Sequence, residues 1–170
     1  RLSLEPVLKA LRQFMFTSNI TITKSFIKLS NTEYESRVLN ARTGQTIDEY
    51  RDMAGQAPFI INAGLLYNGG EKGFWNGFDA GIFYNVQGLT LQYVGMVDRP
   101  DIYSKPFNSL NINANKAIGI DKRMQIGFKV ENILNDEKES VYQSYDAADQ
   151  YFSRLYQGIT FQLRLSYSLF

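Results

Sequence analysis

The side chains of this chain that could do chemistry are carboxylates, cations and phenols, because its 170 residues include no His and no Cys. The absence of His removes the commonest metal ligand and the usual base near neutral pH, and the absence of Cys removes disulfides and thiolate chemistry. No two carboxylates have the spacing of an acid–base pair, and no Gly-rich loop is suited to a phosphate. We therefore expect no enzyme activity, no catalytic residue, no bound metal and no cofactor.

One segment, residues 30–57, mixes charged side chains with tyrosines. Its candidates for contact with a ligand are Tyr34, Arg37, Tyr50 and Arg51. Mixed charges beside phenol rings could bind a polar ligand, or they could dock a lipoprotein on the surface. The competing interpretation is a solvated loop with no ligand, and the residue types alone favour it.

A second segment, residues 136–156, is rich in carboxylates, and the oxygens of four of them could hold a hard cation such as Ca²⁺. They are Glu137, Glu139, Asp146 and Asp149. Their spacing matches no calcium-binding loop, so a solvated acidic loop is the favoured interpretation. The net charge of the whole chain is only +1, which gives no indication of a nucleic-acid partner.

The elements that position these side chains are predicted to be strands, and the last segment of the chain gives the clearest pattern. Between residues 157 and 170 apolar and polar side chains alternate, and successive side chains of a strand point to opposite faces. The apolar set is Ile159, Phe161, Leu163, Leu165, Tyr167 and Leu169, and the small or polar set is Gly158, Thr160, Gln162, Arg164, Ser166 and Ser168. The pattern predicts a strand with one apolar and one polar face.

Further segments have the same two-residue period: residues 14–28, 58–68, 78–93, 108–118 and 124–131. The phase changes after Gly88, which indicates a bulge there. Together these segments predict about six strands of roughly 10–20 residues, longer than the soluble average of about 5–6. Residues 1–4 are interpreted as the end of an earlier strand, which would make seven. Residues 5–13 have the apolar spacing of one short helix, which we place on the periplasmic side.

Uncharged polar side chains dominate the face opposite the apolar one, as the row Asn111, Asn113 and Asn115 illustrates. The sequence contains no run of about 18 apolar residues, which a spanning helix requires. Strand length and polar rows favour a transmembrane β-barrel, whose lumen is polar and whose lipid side is apolar. A soluble β-sandwich is the alternative, because its strands also alternate. On the barrel interpretation, three charged side chains of the polar phase face the lumen: Lys129, Glu131 and Arg164.

The connections between the predicted strands alternate in length, as in outer-membrane barrels, which have short periplasmic turns and longer outer loops. With a periplasmic C-terminus, segments 30–57, 98–105 and 136–156 lie outside, and the turns 69–77 and 119–123 lie at the periplasm. Aromatic side chains near the first of these turns are then expected to form a girdle at the headgroup level: Tyr67, Trp75 and Phe78.

Four pieces of sequence follow one another along the chain in a specific order. They are Gly-Gln-Ala-Pro-Phe-Ile-Ile-Asn at 55–62, Arg-Pro-Asp-Ile-Tyr at 99–103, Val-Glu-Asn-Ile-Leu-Asn at 130–135 and Tyr-Ser-Leu-Phe at 167–170. In this order and spacing they resemble the C-terminal barrel of the TonB-dependent outer-membrane receptors, especially the Bacteroidota type, over most of residues 10–170. The C-terminal assembly signal of that family corresponds to Tyr167 and Phe170, with the difference that Phe170 lies in the opposite phase from Tyr167.

The resemblance implies that residues 1–170 are the C-terminal part of a barrel of about 22 strands in the outer membrane of a Gram-negative bacterium. Family members are closed by a plug domain and import scarce nutrients, such as iron chelates, vitamins, glycans or peptides, with energy relayed from the inner membrane. The chain starts at Arg1 without an initiator Met, so we expect the plug and the earlier strands to lie upstream.

The partners that the resemblance implies are the plug domain, the remaining strands, outer-membrane lipids and a TonB-type energy-coupling protein that binds the upstream part. A surface lipoprotein is a further expected partner. The alternative function is a scaffold barrel in a surface or secretion complex, without transport activity. An enzyme barrel would show a catalytic cluster near the outer loops, and the sequence contains none.

Overall fold

The computed structural model describes residues 12–70, 73–96, 99–119 and 121–169 as mainly antiparallel β-sheet with one short helix. Strands make up 54% of the structure, which confirms the all-β prediction. The predicted strand end at residues 1–4 and nearly all of the predicted helix at 5–13 lie outside the described residues. No helix in the described part of the chain is long and apolar enough to cross a membrane.

Six strands form the largest sheet, in the order β1-β4-β5-β8-β9-β12, and every neighbouring pair is antiparallel. Neighbours in this sheet follow one another along the chain, as in a meander. The described elements, in chain order, are β1 (Phe14–Ile22), β2 (Phe26–Lys28), α1 (Asn31–Leu39), β3 (Tyr50–Asp52), β4 (Phe59–Asn68), β5 (Phe78–Gln87), β6 (Thr90–Tyr93), β7 (Asp101–Ser104), β8 (Phe107–Ile118), β9 (Met124–Glu131), β10 (Lys138–Gln143), β11 (Gln150–Leu155) and β12 (Thr160–Tyr167).

The remaining strands continue the strands of the large sheet. A break in each strand, at a similar level, separates the two parts. Four of them form a second sheet in the order β11-β10-β7-β6, and β2 pairs with β3. β6 follows β5, β7 precedes β8, β10 follows β9 and β11 precedes β12, so neighbours in the second sheet continue neighbours in the first. Gln87 pairs with Phe107 just before the interruption, and Thr90 pairs with Ser104 just after it. The chain therefore forms six long antiparallel strands, each interrupted at a similar level.

Three segments that were predicted to be loops contain strands or a helix. Segment 98–105 contains β7, segment 136–156 is mostly the hairpin of β10 and β11, and segment 30–57 contains α1 and β3. The single strand predicted over 14–28 is two strands: Thr23 N donates to Pro58 O at 3.0 Å, and pairing then passes from β4 to β3. The interruption at Gly88, between β5 and β6, lies where the change of phase predicted a bulge.

Side-chain hydrogen bonds stabilise the turn that separates β9 from β10. Asn132, which is 6% exposed, has φ +55°, a left-handed conformation that Asn adopts more readily than most residues. Its Nδ2 donates to Asp136 O at 3.2 Å and to Gly158 O at 3.1 Å. Asp136 Oδ2 accepts from Asn108 N at 2.7 Å. The turn is thereby joined both to β8 and to the segment before β12.

The cross-strand register places apolar side chains on one face of the large sheet and mostly polar side chains on the other. On the apolar face Phe128 lies opposite Leu163, and the Leu163 side chain is 79% exposed. The most buried large side chains, Leu91 and Val141, belong to the second sheet instead. Among the described residues, most large side chains of this apolar face are therefore exposed or half-buried, and Val130 is the exception at 9% exposed.

Candidate functional site

The apolar face of the large sheet is continuous across all six strands. It consists mainly of Phe14, Phe16, Ile20, Ile22, Phe59, Ile61, Ala63, Leu65, Tyr67, Phe78, Ala80, Ile82, Tyr84, Val86, Leu110, Ile112, Ala114, Ile118, Met124, Ile126, Phe128, Val130, Phe161, Leu163, Leu165 and Tyr167. The one charged residue in register with it is Lys116, between Phe78 and Ile126. Lys116 Nζ donates to Phe74 O at 2.6 Å and to Asn76 O at 2.9 Å. Its charge therefore lies at the turn and not on the face.

The charged residues predicted to line a lumen lie together on the opposite face, here called the polar face. Lys129 Nζ is 2.8 Å from Glu131 Oε1, and Gln162 Nε2 donates to Glu131 Oε2 at 3.0 Å. Arg164 lies opposite Gly127, the next pair on the same face. The structure thus groups the three residues as the alternation predicted, and their position in a lumen stays a prediction.

The middle of the polar face combines amide side chains with an aromatic ring that lies over glycine. Asn85 Nδ2 donates to Asn62 Oδ1 at 2.5 Å across the pair of β4 and β5. Gly81 lies beneath the ring of Phe83: a Cβ there would be 2.6 Å from Phe83 Cε2 and 2.9 Å from Asn113 Oδ1. Glycine at this position therefore lets side chains lie flat along the sheet.

The aromatic residues predicted as a girdle form one cluster at the end of the sheet where a turn joins β4 to β5. The ring centroids of Tyr67 and Trp75 are 6.1 Å apart, and those of Trp75 and Phe78 are 5.3 Å apart. Phe14 joins the cluster at 5.0 Å from Tyr67. The three rings therefore lie together at one end of the sheet, and their role as a girdle at the headgroup level stays a prediction.

The predicted C-terminal assembly signal is described only in part. Tyr167 ends β12 opposite Met124, on the apolar face, and is 63% exposed. Phe170 lies outside the described residues. The role of both residues in assembly stays a prediction.

At the other end of the meander, an ion pair with two hydrogen bonds fastens α1 to β7. Arg37 Nη1 donates to Asp101 Oδ2 at 3.1 Å, and Arg37 Nη2 donates to Asp101 Oδ1 at 2.9 Å. Asp101 Oδ1 also accepts from Gly95 N at 2.7 Å. The hydrogen bonds to Asp101 raise the pKa of Arg37. Burial, followed by the negative charges of Asp101 and Asp52, raises the pKa of Tyr103.

Of the other predicted ligand contacts, Arg51 shares the partner Glu33 with Arg37. Arg51 Nε donates to Glu33 Oε1 at 3.1 Å. Arg37 Nε lies 3.4 Å from the same oxygen but is not aligned for a hydrogen bond. Tyr50 is 54% exposed, and Tyr34 lines a separate small surface pocket. The two arginines are therefore linked through Glu33 within the fold, and neither tyrosine takes part in these ion pairs.

A partly open, polar cavity of about 160 Å³ lies beside the pair of Arg37 and Asp101. Its lining includes Arg37, Arg42, Arg99, Asp101, Gln143 and Tyr145. Arg42 Nη1 donates to Tyr145 O at 3.0 Å, and the Tyr145 hydroxyl donates to Gly44 O at 3.0 Å. Arg42, Arg99 and Gln143 come from three separate segments, which is why the sequence did not predict them as ligand contacts. The only signal was the charge of segment 30–57, where Arg42 lies.

The acidic segment considered for a cation is partly neutralised by basic side chains. Arg154 Nη2 is 2.7 Å from Glu137 Oε2, and Arg154 Nε is 2.9 Å from Glu139 Oε1. Lys105 Nζ is 3.2 Å from Glu139 Oε2. The other two candidate carboxylates, Asp146 and Asp149, are exposed. Within the described ranges, no three acidic side chains are grouped in a way that could hold a metal ion.

No protein-family model matches this chain, and no curated protein or solved structure matches it either. Two features of the chain itself bear on what it can do. One is the exposed apolar face of the large sheet, and the other is the arginine-lined cavity beside α1.

Proposed function

We propose that this chain is part of the wall of a transmembrane β-barrel in a bacterial outer membrane. We further propose that the barrel is a receptor of the TonB-dependent class, which imports a scarce nutrient. In this proposal the apolar face contacts lipid, and the polar face borders the interior. The single observation that carries the membrane part is the apolar face, which is exposed and in register across six strands.

The cost of leaving this face in water supports a lipid environment. Apolar surface kept in water costs about 25 cal/mol per Å² relative to burial. Soluble monomers rarely expose contiguous apolar patches larger than a few hundred Å². A bilayer removes that cost. The strand lengths also suit a bilayer, because a tilted membrane strand needs about 9–11 residues, and β4 and β5 have 10 residues each and β8 has 12.

Two details at the turn between β4 and β5 support the same placement. Lys116 starts on the apolar face but carries its ammonium group to the carbonyl oxygens of Phe74 and Asn76. Long basic side chains near a membrane boundary extend in this way to reach the polar interface. The cluster around Tyr67 and Trp75 lies at the same end, and amphipathic rings are enriched at the headgroup level.

The edges of the large sheet require further strands if it lies in lipid. In the described part of the chain, β1 and β12 each have a strand neighbour on one side only. Unpaired backbone groups in hydrocarbon cost several kcal/mol each, so spanning sheets close into barrels. In the proposed protein the remaining strands of the barrel pair with these two edges.

The import function is supported by the four pieces of sequence that resemble the TonB-dependent receptors. Residues 55–62 lead into β4, residues 99–103 include most of β7, and residues 130–135 form the turn around Asn132. The proposed partners follow from the resemblance: an upstream plug domain, a TonB-type energy-coupling protein and, on the outer side, a lipoprotein. A scaffold barrel without transport would share the same wall.

The experiment that tests the proposal uses the full-length protein in two steps. The first step is extraction from the outer-membrane fraction and gel migration with and without heating. We expect a detergent requirement and heat-modifiable migration, and solubility without detergent would contradict the membrane part. The second step measures binding to the purified periplasmic domain of a TonB-type coupling protein. Binding that is lost on removal of the upstream segment supports import, whereas a membrane barrel that does not bind is a scaffold.

A further inference from the structure

The cavity beside α1 has more positive charge than its lining carboxylate can neutralise. Three arginines and one aspartate line it. Both oxygens of Asp101 already accept hydrogen bonds from Arg37. Arg42 donates to a neutral backbone carbonyl. In the described parts of the chain, the Arg99 guanidinium makes no hydrogen bond or ion pair. Among the described residues, two guanidinium groups, Arg42 and Arg99, therefore line the cavity without a carboxylate partner.

We propose that this cavity binds a small soluble dianion through Arg42 and Arg99, with carboxylate or phosphate as the recognised group. The planar guanidinium presents two parallel N–H donors that match both groups. Gln143, which also lines the cavity, carries an amide that can donate a further, neutral hydrogen bond. The proposal concerns binding only and does not depend on the barrel or on import.

The size of the cavity limits what can enter it. A volume of about 160 Å³ is close to the roughly 150 Å³ of a protein cavity that holds benzene. Phosphate or malonate fits in that space. A larger solute could place one carboxylate or phosphate group inside, because the cavity is partly open.

The position of the cavity favours a soluble anion over a lipid headgroup. Two residues lie between Gln87 and Thr90, and two lie between Ser104 and Phe107, so the register is unchanged across the interruption. Phe107 has the phase of the polar face. Because alternate side chains of a strand share a face, counting back from it in steps of two places Asp101 in the same phase. The same side of the second sheet carries Leu91 and Val141 opposite Tyr103, which are its most buried positions. The cavity thus lies on the side that continues the polar face and not on the side that continues the apolar face.

The test is calorimetric titration of the purified protein at low ionic strength, in whichever medium keeps it monodisperse, plain buffer or detergent. The ligands are inorganic phosphate, malonate and the neutral analogue malonamide. We expect saturable binding of phosphate and malonate and none of malonamide. Arg99→Gln is the primary variant, because the Arg99 guanidinium makes no hydrogen bond to the other described residues, and we expect about tenfold weaker binding. Arg42→Gln should weaken binding by a similar factor.

The matched control is Arg123→Gln, which removes the same charge from an exposed arginine near the opposite end of the sheet. It should leave the affinity unchanged. Arg99→Lys, which keeps the charge but loses the planar pair of donors, should give an intermediate affinity, and circular dichroism checks that each variant is folded. Absence of saturable binding would overturn the proposal, as would equal weakening by Arg123→Gln. A response only to vesicles with anionic headgroups, and none to soluble dianions, would also overturn it.

Discussion

Arg37 and Asp101 are 64 residues apart in the chain, yet two hydrogen bonds of 3.1 and 2.9 Å join them in a forked ion pair. Helix α1, which carries Arg37, buries none of its residues. It therefore gains little from apolar packing and depends on polar contacts to stay on β7. This pair is the strongest of those contacts, because charge-assisted, two-point hydrogen bonds are stronger than neutral ones.

Asp101→Asn should loosen α1 while leaving the large sheet intact. The substitution removes the carboxylate charge and one acceptor, and we expect a loss of about 1–3 kcal/mol in the free energy that holds the helix. Limited trypsin digestion measures the effect, because Arg37 and Arg42 are cleavage sites that should be cut faster. The control is Asp121→Asn, whose exposed pair with Arg123 has a distance of 3.7 Å and should contribute about 0–1 kcal/mol. Equal cleavage rates in the two variants would contradict this role of the pair.

Tyr103 should make the end of the fold that carries α1 sensitive to alkaline pH. Burial and the nearby carboxylates raise the pKa of Tyr103 above its ordinary value of 10.0, so the folded state binds the phenol proton more tightly than the unfolded state does. The resulting stabilisation is complete below the unfolded pKa and is lost as the pH rises through the folded pKa. Urea denaturation between pH 8 and pH 11 should therefore give a steeper alkaline decline for the native protein than for Tyr103→Phe. Tyr50→Phe, at an exposed tyrosine, is the control, and identical slopes for all three proteins would refute the prediction.

Leu163→Arg and Gln162→Arg should have opposite outcomes although they are neighbours in β12. Leu163 lies on the apolar face opposite Phe128, and Gln162 lies on the polar face opposite Lys129 and hydrogen-bonded to Glu131. An arginine on the lipid side of a membrane strand costs about 2–4 kcal/mol near the midplane. An arginine at position 162 can pair with Glu131 instead. Insertion into lipid vesicles, followed by unfolding in urea, should show the loss for Leu163→Arg only. Similar behaviour of the two variants would argue against lipid contact.

The alternation in β12 is the part of the structure that the sequence predicted best, because a period of two leaves no choice about which side chains share a face. The register between strands then follows from keeping apolar side chains together, as at Phe128 and Leu163. The charged group of Lys129, Glu131 and Arg164 was predicted for the same reason. Local periodicity is a property of one segment, so one sequence is enough to read it.

Three strands of the second sheet, β7, β10 and β11, were not predicted, and neither was α1, for two different physical reasons. β10 contains Lys138 and Glu139 and so reads as a solvated loop, although ion pairs with neighbouring strands neutralise part of its charge. Helix α1 lacks an apolar stripe, but a signal for its start was present. Ser30 followed by Glu33 is the spacing of a capping box, and Ser30 Oγ accepts from Glu33 N at 3.2 Å. The cavity is harder to predict from the sequence, because its arginines come from distant segments that meet only in the folded chain.

Gly81→Ala tests whether the polar face is shaped by the ring of Phe83. The added Cβ would lie 2.6 Å from Phe83 Cε2, so the ring must move, and we expect a loss of about 1–3 kcal/mol in the free energy of unfolding. A double-mutant cycle with Phe83→Leu provides the control, because the smaller side chain should relieve most of the clash. Additive effects of the two substitutions would show that the two positions do not interact.

The most direct test of the proposed lipid-facing wall is the environment of consecutive positions in β12. The chain contains no Cys, so single cysteines at positions 161 to 166 can carry a spin label without background. In lipid vesicles, accessibility to oxygen, which partitions into the bilayer, should peak at Phe161, Leu163 and Leu165. Accessibility to a water-soluble nickel complex should peak at Gln162, Arg164 and Ser166, in the opposite phase. Equal access of the nickel complex to all six positions would contradict the account.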